Sequence, residues 1–322
     1  MSAILRFVAI SILIIFGIAF GLILSQWPSG EVEGQGLNFP QSSSEGSATD
    51  IPLQTYMARD GAVLGYREIE GDPANTTVLV HGSGWHSAAY MDLAAGIAAQ
   101  TGGRVVVPDL RGHGPLADPR GDTDYVAQLE DDLADLLDHF EVDQASLVGH
   151  SSGGGLVIRF AGGVHGTRMT RAALLAPFLK YNAPTVRPNS GGWARPLTRR
   201  LIGLLMLNGV GITALNGLTV IEFNLPDEIR ATVDGQSATQ SYSYRLNTGF
   251  APRPDFGADI AALPEFLLVV GEADEAFIAD QFAPTMSEYS DLGTYDVLPD
   301  LGHLDTLFNQ GVAARIGAFL SR

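Results

Sequence analysis

The sequence predicts a doubly wound α/β fold built on a mostly parallel sheet. Short apolar runs of strand length, among them Thr77–Val80, Val105–Val107, Ala145–Val148, Ala172–Ala176 and Phe266–Gly271, recur along the chain. They are too continuous for one-sided strands, as expected where helices cover both faces. Between two of these runs, Tyr125 to Phe140 places Leu129, Leu133, Leu136 and Leu137 on one helical face. Glycine-rich loops bearing serine, histidine or acid follow several runs directly, and the carboxyl ends of parallel strands are where open α/β sheets put their chemistry.

The chain starts with an element of another kind. Phe7 to Leu24 is almost uninterrupted apolar sequence, preceded by Arg6 and followed by Trp27 and Pro28. Its length reaches the lower bound for a membrane-spanning helix. Small-x-small triplets such as Ala19-Phe20-Gly21 fall inside the run, and Ser25-Gln26-Trp27 puts a bulky residue where a signal peptidase needs a small one. An uncleaved anchor over residues 1–27 is therefore expected, a cleaved signal peptide and secretion being the alternative. Arg6 is the only cation before Arg59, whereas Glu31, Glu33, Glu45 and Asp50 follow the span. This asymmetry predicts a single-pass protein with a cytoplasmic N-terminus and an extracytoplasmic body. Residues 28–54, rich in Gly, Ser, Glu and Gln, read as a flexible linker.

The remaining stretch, 55–322, has the size of one α/β domain with an insertion. It opens with a predicted hairpin, Tyr56–Arg59 and Val63–Ile69, around Asp60-Gly61. The run ending at Val80 leads into His81-Gly82-Ser83-Gly84-Trp85. The run ending at Val148 leads into Gly149-His150-Ser151-Ser152-Gly153, a G-x-S-x-G pattern ahead of a predicted helix. Small residues on both sides of the serine suit a strand that reverses abruptly into a helix, and the helix amides favour negative charge beside it. Between the strand ending near Phe178 and the one beginning near Glu265, residues 179–262 exceed an ordinary connection and are expected to form a helical lid. Within the lid, Leu201–Leu207 and Val210–Ile221 are strongly apolar, consistent with packing, an acyl channel or contact with the bilayer.

These two loops in this context resemble the α/β-hydrolase superfamily. The resemblance implies a serine nucleophile at Ser151 and an oxyanion hole from the backbone N–H groups of Ser83 and Ser152. It also implies the chain order serine, acid, histidine. Only His165 and His303 lie downstream of Ser151. His165 comes at the end of the helix after the elbow, so His303 is the expected base. For the acid, the family spacing after the Glu265–Gly271 strand selects Asp274, with Glu272 and Glu275 as surface alternatives. The loop His81-Gly82-Ser83-Gly84-Trp85-His86-Ser87-Ala88-Ala89-Tyr90 is similar to that of monoacylglycerol lipases and lysophospholipase-like hydrolases. Asp109-Leu110-Arg111-Gly112-His113-Gly114 is closer to esterases, peroxidase-like and serine aminopeptidase-like relatives. In that setting His81, His113 and His150 shape the site and are not independent catalysts.

Composition narrows the function further. A net charge of −17 disfavours nucleic acid as a partner of the folded body. With no cysteine and no ligand spacing between His81 and His86, no metal site is expected, and the resemblance implies no cofactor. The expected function is a membrane-anchored serine hydrolase cleaving a carboxylic ester, with a small-molecule or lipid substrate carrying an apolar acyl group. One alternative is an aminopeptidase-like amide hydrolase, in which Glu222, Asp227 or Glu228 would bind a free amino terminus. Another is a non-catalytic ligand-binding protein on the same fold.

Overall fold

In a computed structural model of the chain, residues 3–30, 36–39 and 51–322 are described. The predicted linker 28–54 falls largely outside them. Helix α1 (Ala3–Leu24) precedes the body. Strands β1 (Gln54–Met57) and β2 (Val63–Ile69) form the expected hairpin. Then come β3 (Asp72–Val80), α2 (Met91–Thr101), β4 (Gly103–Pro108), α3 (Gln128–His139), β5 (Ala145–His150), α4 (Ser152–Ala161) and β6 (Met169–Leu175). The inserted segment carries β7 (Ala194–Pro196), α5 (Thr198–Asn208), β8 (Thr219–Phe223), α6 (Asp227–Arg230), α7 (Val233–Gln236), β9 (Ser241–Ser243), α8 (Tyr244–Gly249) and α9 (Phe256–Ala261). The chain closes with β10 (Phe266–Gly271), α10 (Phe282–Met286), β11 (Gly293–Leu298) and α11 (Gln310–Leu320).

Eight strands form one sheet in the order β1-β2-β4-β3-β5-β6-β10-β11. Pairings from β4 to β11 are parallel, and only β1 and β2 run against their neighbours. After β3 the chain passes to β4 on one side and later to β5 on the other, so the order reverses beside β3. That reversal opens a crevice at the carboxyl ends of β3 and β5. Alternation of side chains along each strand divides the core. Phe266, Leu268 and Val270 of β10 face a cluster with Leu129, Leu133 and Leu136 of α3 and Phe160 of α4. Leu267 and Val269 face a second cluster with Leu93 and Ile97 of α2 and Val312 and Ile316 of α11.

The insertion holds a small antiparallel sheet, β7-β8-β9, beside its helices. These strands span only three to five residues, too few for a period-two signal to show in the sequence. Helix α1 is long and apolar enough to cross a membrane, its window reaching a mean hydropathy of 2.9. A helix of this kind near the N-terminus serves as an anchor or as a signal sequence. Its last turns pack on α5: Ala19 and Ile23 are buried with Leu204, Leu207, Val220 and Tyr244. Gly203 permits this approach, because a Cβ there would lie 2.7 Å from the Ile23 side chain.

Candidate active site

Ser151 stands at the turn between β5 and α4 and caps that helix, with φ 55° and ψ −122°. A residue with a side chain rarely holds positive φ, and the strain is of order 1–3 kcal/mol. The surroundings impose it. Ser151 N–H donates to Leu175 O at 2.8 Å, and Ser151 O accepts from Phe178 N at 2.9 Å and Gly155 N at 3.2 Å. The flanking glycines are required by contact: a Cβ on Gly149 would meet Gly154 N at 2.7 Å, and one on Gly153 would meet Val80 C at 2.9 Å.

His303 follows β11 and Asp274 follows β10, so both reach the same rim as Ser151. His303 Nδ1 lies 2.8 Å from Asp274 Oδ2. The other carboxylate oxygen, Oδ1, accepts the Ala276 and Phe277 amides, each at 2.8 Å. Asp274 is thus buried as an acceptor at both oxygens, which makes His303 Nδ1 the donor and leaves Nε2 as the basic nitrogen. Glu275, expected to be a solvated loop acid, instead accepts the His303 backbone N–H at 2.7 Å. Among the described residues no hydrogen bond joins the Ser151 hydroxyl to His303, and such contacts commonly tighten only around substrate. The other downstream histidine, His165, is engaged with Asp131 at 2.7 Å on α3.

Two tyrosine–histidine relays hold the loop after β3. Gly82 N–H donates to Tyr90 Oη at 2.8 Å, Tyr90 Oη lies 2.9 Å from His150 Nδ1, and His150 Nε2 lies 3.3 Å from His303 O. On the other side Gly84 N–H donates to Tyr242 Oη, which pairs with His113 Nε2, both at 2.6 Å. His150 Nε2 faces the His303 carbonyl and His113 Nδ1 the Arg111 carbonyl, so those nitrogens carry the ring proton, and in the neutral ring the other nitrogen accepts from the tyrosine hydroxyl. Burial enforces this by driving the His113 and His150 pKa values well below the usual 6.5. His81 is lowered by burial to about 4, and its Nε2 accepts the Leu110 N–H at 3.1 Å. Between the two anchored glycines, Ser83 N–H has no protein acceptor among the described residues, and neither has Ser152 N–H. Ser83 Oγ accepts from Trp193 Nε1 at 3.0 Å, which ties this loop to the insertion.

Tyr90 stood in the sequence motif without an assigned role, and nothing local marked Tyr242, which arrives from the insertion. Tyr90→Phe keeps the ring but strands a buried amide donor and a buried imidazole nitrogen. An unfolding cost of about 1–3 kcal/mol is expected, with a fall in turnover as the loop loosens. An unchanged melting midpoint together with unchanged turnover would show that the relay does not position the loop.

A cavity of about 550 Å³ opens on Ser151 and His303 and is walled mainly by apolar groups, including Trp85, Trp193, Ile229, Leu304 and Leu307. The acids considered for binding an amino terminus are elsewhere. Glu222 is buried against Arg195 and accepts the Gly30 amide at 2.7 Å, Asp227 pairs with Arg230, and Glu228 does not line the cavity. Arg120 and Asp122, in the loop between β4 and α3, tie that loop to the insertion. Asp122 pairs with Arg245 at 2.7 Å, and Arg120 donates to Ser237 O.

Residues 77–315 match the alpha/beta hydrolase family along most of the chain. The chain belongs to that family. Among characterised hydrolases, 2-hydroxymuconate semialdehyde hydrolase of Pseudomonas putida is 26% identical over 273 residues, covering 83% of this chain and 91% of that protein. The dihydrolipoyllysine-residue acetyltransferase component of the acetoin cleaving system, also from Pseudomonas putida, is 36% identical over 104 residues. That match covers 32% of this chain and 27% of the relative, so it spans about a quarter of the longer protein. The monoacylglycerol lipase of Paleococcus ferrophilus superposes with a TM-score of 0.60 at 19% identity, covering 80% of this chain and 98% of that one. At that identity the likeness is one of fold. The family match places this chain among alpha/beta hydrolases.

Proposed function

We propose that this hydrolase is a membrane-anchored serine esterase that cleaves a neutral carboxylic ester with an apolar acyl group. One observation carries the reading. A serine held at positive φ and an imidazole bonded through Nδ1 to a buried carboxylate open onto a single apolar cavity. Ser151 Oγ attacks the ester carbonyl as His303 Nε2 takes its proton, while Asp274 holds the imidazole and stabilises the cation that forms. The Ser83 and Ser152 amides donate hydrogen bonds to the tetrahedral oxygen and stabilise its negative charge. His303 then protonates the departing alcohol, and water, deprotonated by the same nitrogen, releases the acid from Ser151.

The cavity's charged groups support a neutral substrate. Among the described lining residues the carboxylates Asp92 and Asp234 are present, with neither lysine nor arginine. A substrate carboxylate would meet only like charge there. Residues 55–322 are read as the catalytic body and 179–262 as its lid. The packing of Ala19 and Ile23 on α5 supports retention of residues 1–27 as an anchor, since cleavage would expose Leu204, Leu207 and Val220. The charge asymmetry around the span favours an extracytoplasmic body.

A panel of nitrophenyl esters tests the substrate class. Medium-chain acyl esters are expected to give kcat/KM at least about tenfold above equal-length esters ending in a carboxylate. Equal rates, or faster cleavage of proline arylamides, would contradict the reading.

A further inference from the structure

We propose that residues 36–39, which lie before the first strand of the sheet, form a wall of the acyl pocket and set chain-length selectivity, with Phe39 as the selecting side chain. The proposal rests on the esterase reading above and names how that site chooses its acyl group. Leu37 and Phe39 both line the cavity that holds Ser151 and His303. Leu37 is only 7% exposed and belongs to the main core cluster. The Phe39 ring lies 6.3 Å from Trp85 and 5.9 Å from Trp193, measured between centroids. Trp85 belongs to the loop beside Ser83, and Trp193, which bonds Ser83 Oγ, comes from the insertion. Phe39 therefore fills the angle between those two walls.

The backbone of this segment is secured as well. Asn38 N–H donates to Glu275 Oε1 at 3.3 Å, and the other oxygen of that carboxylate accepts the His303 N–H at 2.7 Å. One carboxylate thus clips both the segment and the histidine loop. Gly36, at φ +65°, turns the chain against Asn224, whose Nδ2 would lie 3.1 Å from an added Cβ. A peptide that merely crossed the surface would not bury an apolar side chain beneath it and set the next aromatic, tilted, against two tryptophans. An acyl chain long enough to reach Phe39 gains apolar contact that a short one cannot, so the segment acts on the ratio of their rates.

The test uses the full chain in lipid nanodiscs. Phe39→Ala is expected to lower the ratio of kcat/KM for decanoyl over acetyl esters by roughly tenfold, chiefly through KM, with Phe39→Leu restoring most of it. A parallel fall for both esters would reduce Phe39 to a structural role, and an unchanged ratio would remove it from the pocket; either overturns the proposal. A second readout needs no turnover, because the chain has no cysteine of its own. Phe39→Cys should react with maleimide many-fold more slowly than Val164→Cys, an exposed position, and decanol should slow it further. Reaction at the exposed rate, or indifference to decanol, overturns the proposal even if wild type cleaves no ester. Protection by decanol with no ester turnover would support the pocket wall while sinking the esterase reading.

Discussion

Replacing Ser151 by alanine is expected to lower kcat for the preferred ester by about 10⁶-fold, because nucleophile and base act as a unit and the residual rate comes from binding and the oxyanion donors alone. Asp274→Asn is expected to cost about 10⁴-fold, since an amide in place of the carboxylate favours the wrong imidazole tautomer. The serine change carries a second, opposite signature. Ser151 sits at φ 55°, where alanine remains strained but glycine does not. Ser151→Gly should therefore be as inactive as Ser151→Ala yet more stable than wild type by about 1 kcal/mol or more. Steady-state kinetics and melting curves on the three proteins read both effects. A Ser151→Ala enzyme retaining even a hundredth of wild-type turnover would remove Ser151 from the reaction.

Acidification is expected to destabilise the fold well above the range where ordinary carboxylates titrate. His81, His113 and His150 are all buried, and burial holds their pKa values below 6.5, that of His81 at about 4. Once unfolded, each binds a proton as the pH drops through about 6.5. Between that pH and about 4 these three sites bind more protons in the unfolded chain than in the folded one, which lowers stability as the pH falls; burial holds the Asp132 carboxyl up at about 6, and that single group acts in the opposite direction. Asp109, which faces His81, opposes the shift without reversing it. Burial of His81 works against the folded state across this window. The other two act in the same direction. The melting midpoint should be level above neutral pH and decline steadily from about pH 6.5 to 4. A flat midpoint over that interval would show that these histidines titrate normally and that the two tyrosine–histidine relays do not require neutral rings.

The reach of sequence reasoning follows from the range of the contacts involved. The central parallel strands are legible as apolar runs, unlike the edge strand β11 with its Thr294 and Asp296, and β5 with α4 is legible because the turn between them needs small residues at fixed offsets. His303 and Asp274 required the chain order implied by the family resemblance, since no local pattern links positions 29 residues apart. Tyr242, Glu275 and Phe39 left no such trace. Each meets the site only after the insertion, the β10 loop and the N-terminal segment have folded onto the rim. Glu275 looked like a surface acid because its partner is a backbone N–H, which has no signature in sequence. The acids Glu222 and Asp227 were considered for substrate binding on charge alone, and the fold turns them to Arg195 and Arg230 instead.

An activated Ser151 is open to covalent capture. The folded full-length protein is treated with a fluorophosphonate and its peptides are mapped by mass spectrometry. One adduct is expected, on Ser151, absent from Ser151→Ala and formed far more slowly in His303→Ala. A folded wild-type chain that takes up no label, or takes it up at another residue, would contradict it.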